Sequence, residues 1–102
     1  MTTPRLTVIA WRDIPAQVVA SRGRDKARRQ LSPRFQAAID RAAMTAGLSG
    51  TDAYLEQWTR TSRNCGEDLE AEVSGEAARL ELDYDRDRLE RLVAASGLEE
   101  GP

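Results

Sequence analysis

Histidine is absent from the 102 residues of the chain. This absence excludes the commonest general base, the Ser–His–Asp and Cys–His nucleophile systems, and nearly every zinc site that contains histidine. The single cysteine, Cys65, cannot form an intramolecular disulfide, which fits a reducing cytoplasm. No apolar run approaches the roughly 18 residues of a membrane span, and the N-terminus lacks a signal-peptide core. We therefore expect a soluble cytoplasmic protein that does not associate with membranes.

The length and composition indicate one small globular domain. Hydrophobic residues make up 40% of the chain and charged residues 31%, which is typical of a folded protein. A chain of 102 residues has no room for a second core. We predict a domain over residues 6–97, with flexible ends at 1–5 and 98–102.

The charges are distributed unevenly along the chain. Residues 1–50 hold nine Lys or Arg and three Asp, a net charge of +6. Residues 51–102 hold six Arg and fourteen Asp or Glu, a net charge of −8. Two interpretations are open: the halves face each other and partly cancel, or a basic surface awaits an anionic partner.

The N-terminal segment predicts a β-hairpin. The side chains of residues 6–11 alternate between the two faces of a strand, and both faces are largely apolar. Residues 17–21 also favour a strand, because they include Val18 and Val19. Between them, Asp13 favours a turn and Pro15 restricts the backbone. A five-residue gap is an ordinary hairpin connection.

The longest helical pattern runs over residues 24–47. Its apolar residues recur at spacings of three and four: Ala27, Leu31, Phe35, Ala38, Ile39, Ala42 and Ala46. Ser32-Pro33 predicts either a new helix start or a kink, because Ser is a good N-cap and Pro suits the first helical position. Gly47 is the expected C-terminal glycine.

Residues 51–61 are ambiguous between helix and strand. Tyr54, Leu55 and Trp58 share a helical face, whereas Tyr54, Glu56 and Trp58 share one side of a strand. A third strand would complete a viable sheet, so we predict a strand over 53–59, followed by a loop over 60–66.

Two further helices are predicted in the acidic half. One begins at Glu67 or Asp68, and Asp85 caps a last short helix that ends at Gly97, with Leu98 placed for a Schellman contact. The predicted order is β-β-α-β-α-α. This order indicates an α+β fold with helices on one face of a small, mainly antiparallel sheet.

The strongest candidate binding site is a basic cluster at the predicted N-terminus of the long helix. Backbone donors, the helix dipole and guanidinium groups together suit phosphate or carboxylate binding. The alternative is a solvated face whose arginines pair with the acidic half. Nucleic acid is disfavoured, because interleaved aromatic residues are missing and the pI of about 5.2 is acidic. The cluster comprises Arg22, Arg24, Lys26, Arg28, Arg29 and Arg34.

No catalytic or metal site is predicted. The carboxylates of residues 67–87 lack the ligand spacing and central glycine of a calcium loop, so we interpret them as solvent-facing helix residues. Cys65 has no histidine to activate it, which favours a passive thiol. We assign no cofactor.

Two tryptophans are the other candidates. Trp11 and Trp58 would lie on one face if their strands were neighbours. They either fill the core or form an aromatic patch at a protein interface, flanked by Arg12 and Asp13.

Three stretches of the chain carry a family resemblance. Residues 8–17 (VIAWRDIPAQ), 32–40 (SPRFQAAID) and 50–58, with GTDAYL and Trp58, resemble the bacterial "virulence factor" family. They also resemble the C-terminal part of the staphylococcal conserved virulence factor C. The resemblance spans roughly residues 6–93, but the family name describes a phenotype and implies no catalytic residues. Its members occur in genomes beside enzymes of one-carbon, methyl-transfer metabolism, so the resemblance implies an accessory subunit of such an enzyme.

The leading hypothesis is a non-catalytic accessory or interaction module that docks on a larger cytoplasmic protein or enzyme. The alternative is a small domain that binds phosphate, nucleotide or folate polyglutamate through the basic cluster. The sequence is compatible with a homo-oligomer. The residues we predict for binding are Trp11, Arg12, Asp13, Arg22, Arg24, Lys26, Arg28, Arg29 and Trp58.

Overall fold

The computed structural model describes residues 2–99. These residues form an α+β fold, which confirms the predicted class. The order is β-β-β-α-α-β-α-α rather than β-β-α-β-α-α, because the structure adds a strand and a short helix. The elements are β1 Arg5–Trp11, β2 Ile14–Arg22, β3 Asp25–Gln30, α1 Pro33–Thr45, α2 Asp52–Glu56, β4 Trp58–Asn64, α3 Leu69–Asp83 and α4 Arg86–Ala94.

The four strands form one antiparallel sheet in the order β3-β2-β1-β4. The predicted hairpin is confirmed, and its turn is tighter than expected because Trp11 already pairs with Ile14. Arg12 takes a positive φ of 51° in that two-residue turn. Pro15 lies inside β2, next to a register shift that leaves Ala16 unpaired. A bulge of this kind accommodates proline within a strand.

Residues 25–30 form an edge strand, so the prediction that the long helix begins near Arg24 is wrong. Gly23 has a φ of 60° in a two-residue turn that folds β3 back against β2. Within β3 only Ala27 is buried. The segment consists mainly of good helix formers, and pairing with β2 overrides this weak local preference.

The predicted strand over 53–59 is also wrong for most of its length. Thr51 caps a short helix, α2, by accepting a hydrogen bond from the backbone N–H of Tyr54. The strand β4 begins only at Trp58 and continues through the segment predicted as a loop. All of its residues after Trp58 are exposed, so no apolar pattern marks it.

The remaining three helices match the predictions closely. Pro33 occupies the first turn of α1, with Ser32 at the N-cap position. Asp68 and Asp85 cap α3 and α4 through their side chains. The Schellman end of α4 forms through a 2.7 Å hydrogen bond from Gly97 N to Leu92 O. Ser96, with a φ of 62°, precedes the glycine in the left-handed region, and Leu98 is exposed.

The helices cover one face of the sheet. α3 packs over β2 and β3, whereas α1 packs on β2 and against α4. The core between them is apolar, and its largest fully buried side chains are Trp11, Phe35, Leu6, Ile14, Ile39, Leu92, Val18 and Val73. The apolar stripe predicted through Phe35 points into this core, as do Val73 of α3 and Leu89 of α4.

The structure describes part of each end segment that was predicted to be flexible, residues 1–5 and 98–102. Arg5 is already the first residue of β1, and the carbonyl of Pro4 accepts a hydrogen bond from Cys65 N at 3.1 Å. Of the predicted C-terminal tail, residues 100–102 lie outside the described part of the chain, as does Met1. Within residues 2–99, no helix combines the length and the apolarity that a membrane crossing needs.

Candidate functional site

Trp11, the first predicted binding residue, lies in the core. Its side chain has no exposed area, and its ring stacks on Tyr54 with centroids 5.5 Å apart. Its indole Nε1 donates a 2.9 Å hydrogen bond to Tyr54 O. A buried tryptophan needs such a partner for its N–H. Trp11 therefore joins β1 to α2 and offers no surface to a partner.

Arg12 and Asp13 attach the β1–β2 turn to the end of α4. Arg12 Nη1 donates to Ser96 O at 2.9 Å, and Asp13 N donates to Gly97 O at 2.8 Å. Asp13 Oδ2 accepts from Glu99 N at 2.6 Å in return. Arg12 and Asp13 thus satisfy the carbonyls of Ser96 and Gly97, in the turn that follows α4. The segment with the strongest family resemblance thus has a structural role.

The prediction that the basic cluster lies at one helix N-terminus is wrong: only Arg34 lies in the first turn of α1, whereas the other five members lie on β2, on β3 and in the turn between them. The first turn of α1 faces Glu81, which accepts hydrogen bonds from Ser32 N at 2.7 Å and from Ser32 Oγ at 2.8 Å. Burial raises the pKa of Glu81, but the hydrogen bonds from Ser32 and Arg34 outweigh it, and the pKa is lowered. A carboxylate of the chain itself therefore occupies the position that a bound anion would take.

The cluster is divided between the two faces of the sheet. On the helical side, Arg29 donates to Ser74 Oγ at 3.0 Å and lies 3.9 Å from Glu70. Arg22 lies 3.7 Å from Asp25 and 4.0 Å from Glu67. The pairs Arg22–Glu67 and Arg29–Glu70 join the basic half of the chain to its acidic half, which confirms that the halves partly cancel.

Lys26 and Arg28 point to the other face of the sheet, which we call the open face. It is formed by alternate residues of all four strands: Arg5, Thr7, Ile9, Gln17, Val19, Ser21, Lys26, Arg28, Gln30, Arg60, Ser62 and Asn64. Its central residues are half-buried and its outer residues are exposed. None of these residues is fully buried, whereas Leu6, Val18 and Ala20 on the helical side are. Arg24 lies beside it, in the exposed β2–β3 turn.

The open face carries four cations and no carboxylate. Arg5 and Arg60 join Lys26 and Arg28 there, because β1 pairs Ile9 with Arg60 and Arg5 with Ser21. None of the four forms an ion pair with the described residues. The single acidic residue of the strands, Asp25, pairs with Arg22 on the helical side. Sequence reasoning missed Arg5 and Arg60, because only the strand register brings them to the cluster.

Trp58 borders the open face at one end of β4. It is half-buried and lines a shallow depression of about 460 Å³ together with Ile9, Gln17 and Arg60. Tyr54 meets its ring edge-on, with centroids 6.2 Å apart. The tryptophan is thus fixed by packing on one side and accessible on the other. Of the two predicted tryptophans, only Trp58 is available to a partner.

The surroundings of Cys65 disfavour its thiolate form. Burial raises the pKa of Cys65, Glu72 adds to this effect, and Arg63 opposes it. The thiol is therefore protonated at neutral pH and a weak nucleophile. In the part of the chain that the structure describes, no three acidic or cysteine side chains converge to hold a metal ion.

Comparison with known proteins places the chain in a family. The family model described as "virulence factor" matches residues 9–93, which is most of the chain and agrees with the resemblance found in the sequence. No curated protein and no solved structure matches the chain.

Proposed function

We propose that this chain, which belongs to the virulence factor family, is a non-catalytic binding module that docks through its open face on a larger cytoplasmic protein. The observation that carries the proposal is the charge of this face. Lys26, Arg28, Arg5 and Arg60 lie there without a neutralising carboxylate, although the chain as a whole has a net charge of −2.

Charge complementarity defines the partner as an acidic protein surface. Like charges of an isolated face repel one another, and an acidic partner relieves this repulsion and speeds association. The half-buried centre of the face, with Ile9 and Val19, supplies apolar contact area inside the cationic border. An apolar centre with a charged rim is the usual arrangement at protein interfaces.

The same face is poorly suited to nucleic acid. Single-stranded RNA binds β-sheets mainly by stacking bases on aromatic side chains of the central strands. Here the central strands present Thr7, Ile9, Gln17 and Val19, none of which is aromatic. Trp58 lies at one corner and provides a single stacking position. A protein partner therefore fits the face better than a polynucleotide.

Affinity purification with charge-reversed variants tests the proposal. The tagged chain is used as bait in its native cells, and captured proteins are quantified by mass spectrometry. We expect Lys26→Glu/Arg28→Glu to lose the specific partner at least tenfold, because two attractive contacts become repulsive. Arg86→Glu is the matched control, since Arg86 is exposed on α4 at the helical side.

The supporting result is an acidic protein captured by the wild type and the Arg86→Glu control but lost with the double variant. Its recovery should also fall as the salt concentration rises. Equal capture by all three baits would contradict the proposal. Capture abolished by ribonuclease would contradict it as well and would indicate RNA binding.

A further inference from the structure

A second concave site lies on the helical side of the sheet, remote from the open face. α3 packs over β2 and β3, so the helical sides of β1 and β4 are left partly uncovered. The small side chains of Ala10, Thr59 and Thr61 leave space there. The result is a cleft of about 530 Å³, which we call the β1–β4 cleft. Its size falls within the range of roughly 300–1,000 Å³ typical of small-molecule sites.

The cleft has an apolar floor and one rigid aromatic wall. Leu6, Val8 and Ala10 form the floor, and Leu80 and Tyr84 form the wall. The Tyr84 ring is held by the Phe35 ring, 6.2 Å away, and by the Arg88 guanidinium, 3.9 Å from its centroid. Burial raises the pKa of Tyr84, so its hydroxyl is protonated at neutral pH. Among residues 2–99 this hydroxyl has no hydrogen-bond partner.

A buried carboxylate fixes two guanidinium groups at the rim of the cleft. The Glu76 side chain is only 5% exposed and accepts hydrogen bonds from Arg63 Nη2 and Arg79 Nε, both at 3.1 Å. The hydrogen bonds from Arg79 lower the pKa of Glu76 and outweigh the opposite effect of burial, so the carboxylate is ionised. The two arginines stabilise this buried charge, and the carboxylate fixes the position of both guanidinium groups.

Within residues 2–99, Arg63 and Arg79 differ in how many of their side-chain donors already have a hydrogen-bond partner. All three side-chain nitrogens of Arg79 are engaged, by Glu76 and by Asp83. Arg63 uses only Nη2, so in the described part of the chain its Nε and Nη1 have no partner. More than half of the Arg63 side chain is exposed. Arg63 is therefore held by Glu76 while its other donors remain accessible to an external acceptor.

The other two arginines at the cleft already donate to acceptors of the chain itself. Arg12 donates to Gln57 and Ser96, and Arg88 donates to Glu99. The four arginines and three carboxylates that line the cleft give it one net positive charge. Its electrostatics therefore suit a ligand with a single negative charge.

We propose that the β1–β4 cleft binds a small organic carboxylate. The carboxylate group accepts hydrogen bonds from Arg63, which Glu76 holds in place, because guanidinium and carboxylate match as a planar pair. The apolar body of the ligand lies on Val8 and Ala10 against the Tyr84 ring. This site goes beyond the proposed docking function and needs no protein partner.

Two-dimensional NMR of the full chain tests this proposal, with 4-phenylbutyrate as the probe. We expect saturable shifts at the amides of Val8, Ala10 and Thr61. Two matched probes separate the contributions: 4-phenylbutan-1-ol keeps the body without the charge, and butyrate keeps the charge with a short body. Both should bind at least about tenfold more weakly, since each lacks one half of the recognition.

Variants of β4 provide a matched comparison. Arg63→Gln should weaken 4-phenylbutyrate binding at least about tenfold, whereas Arg60→Gln, on the opposite side of the same strand, should leave it unchanged. Thr61→Phe, which fills the cleft, should abolish the shifts without touching any charge. Shifts that do not saturate, that map to the open face, or that persist unchanged in both Arg63→Gln and Thr61→Phe would overturn the proposal.

Discussion

The packing of Gly97 against Trp11 gives a stability prediction that can be worked out from distances. A Cβ atom on Gly97 would lie 2.9 Å from Trp11 Cζ3 and 3.2 Å from Cε3. Trp11 cannot move away easily, because it is fully buried, stacked on Tyr54 and tied to its carbonyl. Gly97 also has a φ of 88°, which disfavours any residue with a side chain.

We expect Gly97→Ala to lower the free energy of unfolding by about 2–5 kcal/mol. The left-handed backbone accounts for roughly 1–2 kcal/mol of this loss. Forcing a methyl group into a packed aromatic contact accounts for roughly 1–3 kcal/mol more. The sum is a large fraction of the stability of a small domain, which is about 5–15 kcal/mol.

Gly47→Ala is the control that separates the two contributions. Gly47 has a φ of 73°, similar to that of Gly97, but nothing lies within 4 Å of its ideal Cβ position. It should lose only the backbone contribution, roughly 1–2 kcal/mol. Urea denaturation followed by tryptophan fluorescence measures both variants. Equal losses would refute the reasoning, because they would show that the contact with Trp11 contributes nothing.

Two further substitutions test the core and the buried carboxylate. Phe35→Ala should cost about 3–5 kcal/mol of unfolding free energy, since the side chain is fully buried, whereas Met44→Ala, exposed on the same helix, should change it by less than about 0.5 kcal/mol. A loss under about 1 kcal/mol for Phe35→Ala in urea denaturation would contradict this placement. Because the folded-state pKa of Glu76 lies below its usual value of 4.5, its stabilising effect is complete above that pH and is lost as the pH falls through the lowered pKa. The difference in unfolding free energy between wild type and Glu76→Gln should therefore shrink from pH 7 to pH 3. Glu56→Gln, at an exposed position, should change the unfolding free energy at pH 7 by less than about 0.5 kcal/mol. A difference for Glu76→Gln that stays constant with pH would argue against the ion pairs.

Local signals were sufficient to predict the larger helices. Ser32-Pro33, Asp68 and Asp85 mark helix starts, and the apolar stripes behind them have the helical period. These features act within one or two turns, so the sequence displays them directly. The first hairpin was predictable for the same reason, since alternating apolar residues surround a turn.

The errors lie in β3 and β4, where the side chains are mostly polar. Both are edge strands, and edge strands commonly carry charged residues that prevent pairing with other chains. An apolar period is then missing, and the good helix formers of residues 25–30 favour the wrong element. Gly23 between β2 and β3 was a usable signal, because a two-residue hairpin favours glycine at a positive φ.

The candidate sites depended on the same edge strands. Lys26 and Arg28 were in the predicted cluster, but their association with Arg5 and Arg60 required the order β3-β2-β1-β4. The β1–β4 cleft depended on α3 lying over one half of the sheet, which no local pattern encodes. The sequence therefore identified the cations but did not show which residues lie beside them in the fold.

The bond between Asp13 and Glu99 has a consequence for how the protein is made. It joins residues 86 positions apart, and the bond from Arg12 to Ser96 spans 84. The hairpin is synthesised long before the end of α4, so its turn can meet Gln57 earlier, but its bonds to Ser96, Gly97 and Glu99 form only after α4 has been made. Until the residues after α4 have been synthesised, the side of Trp11 that packs against Gly97 stays uncovered.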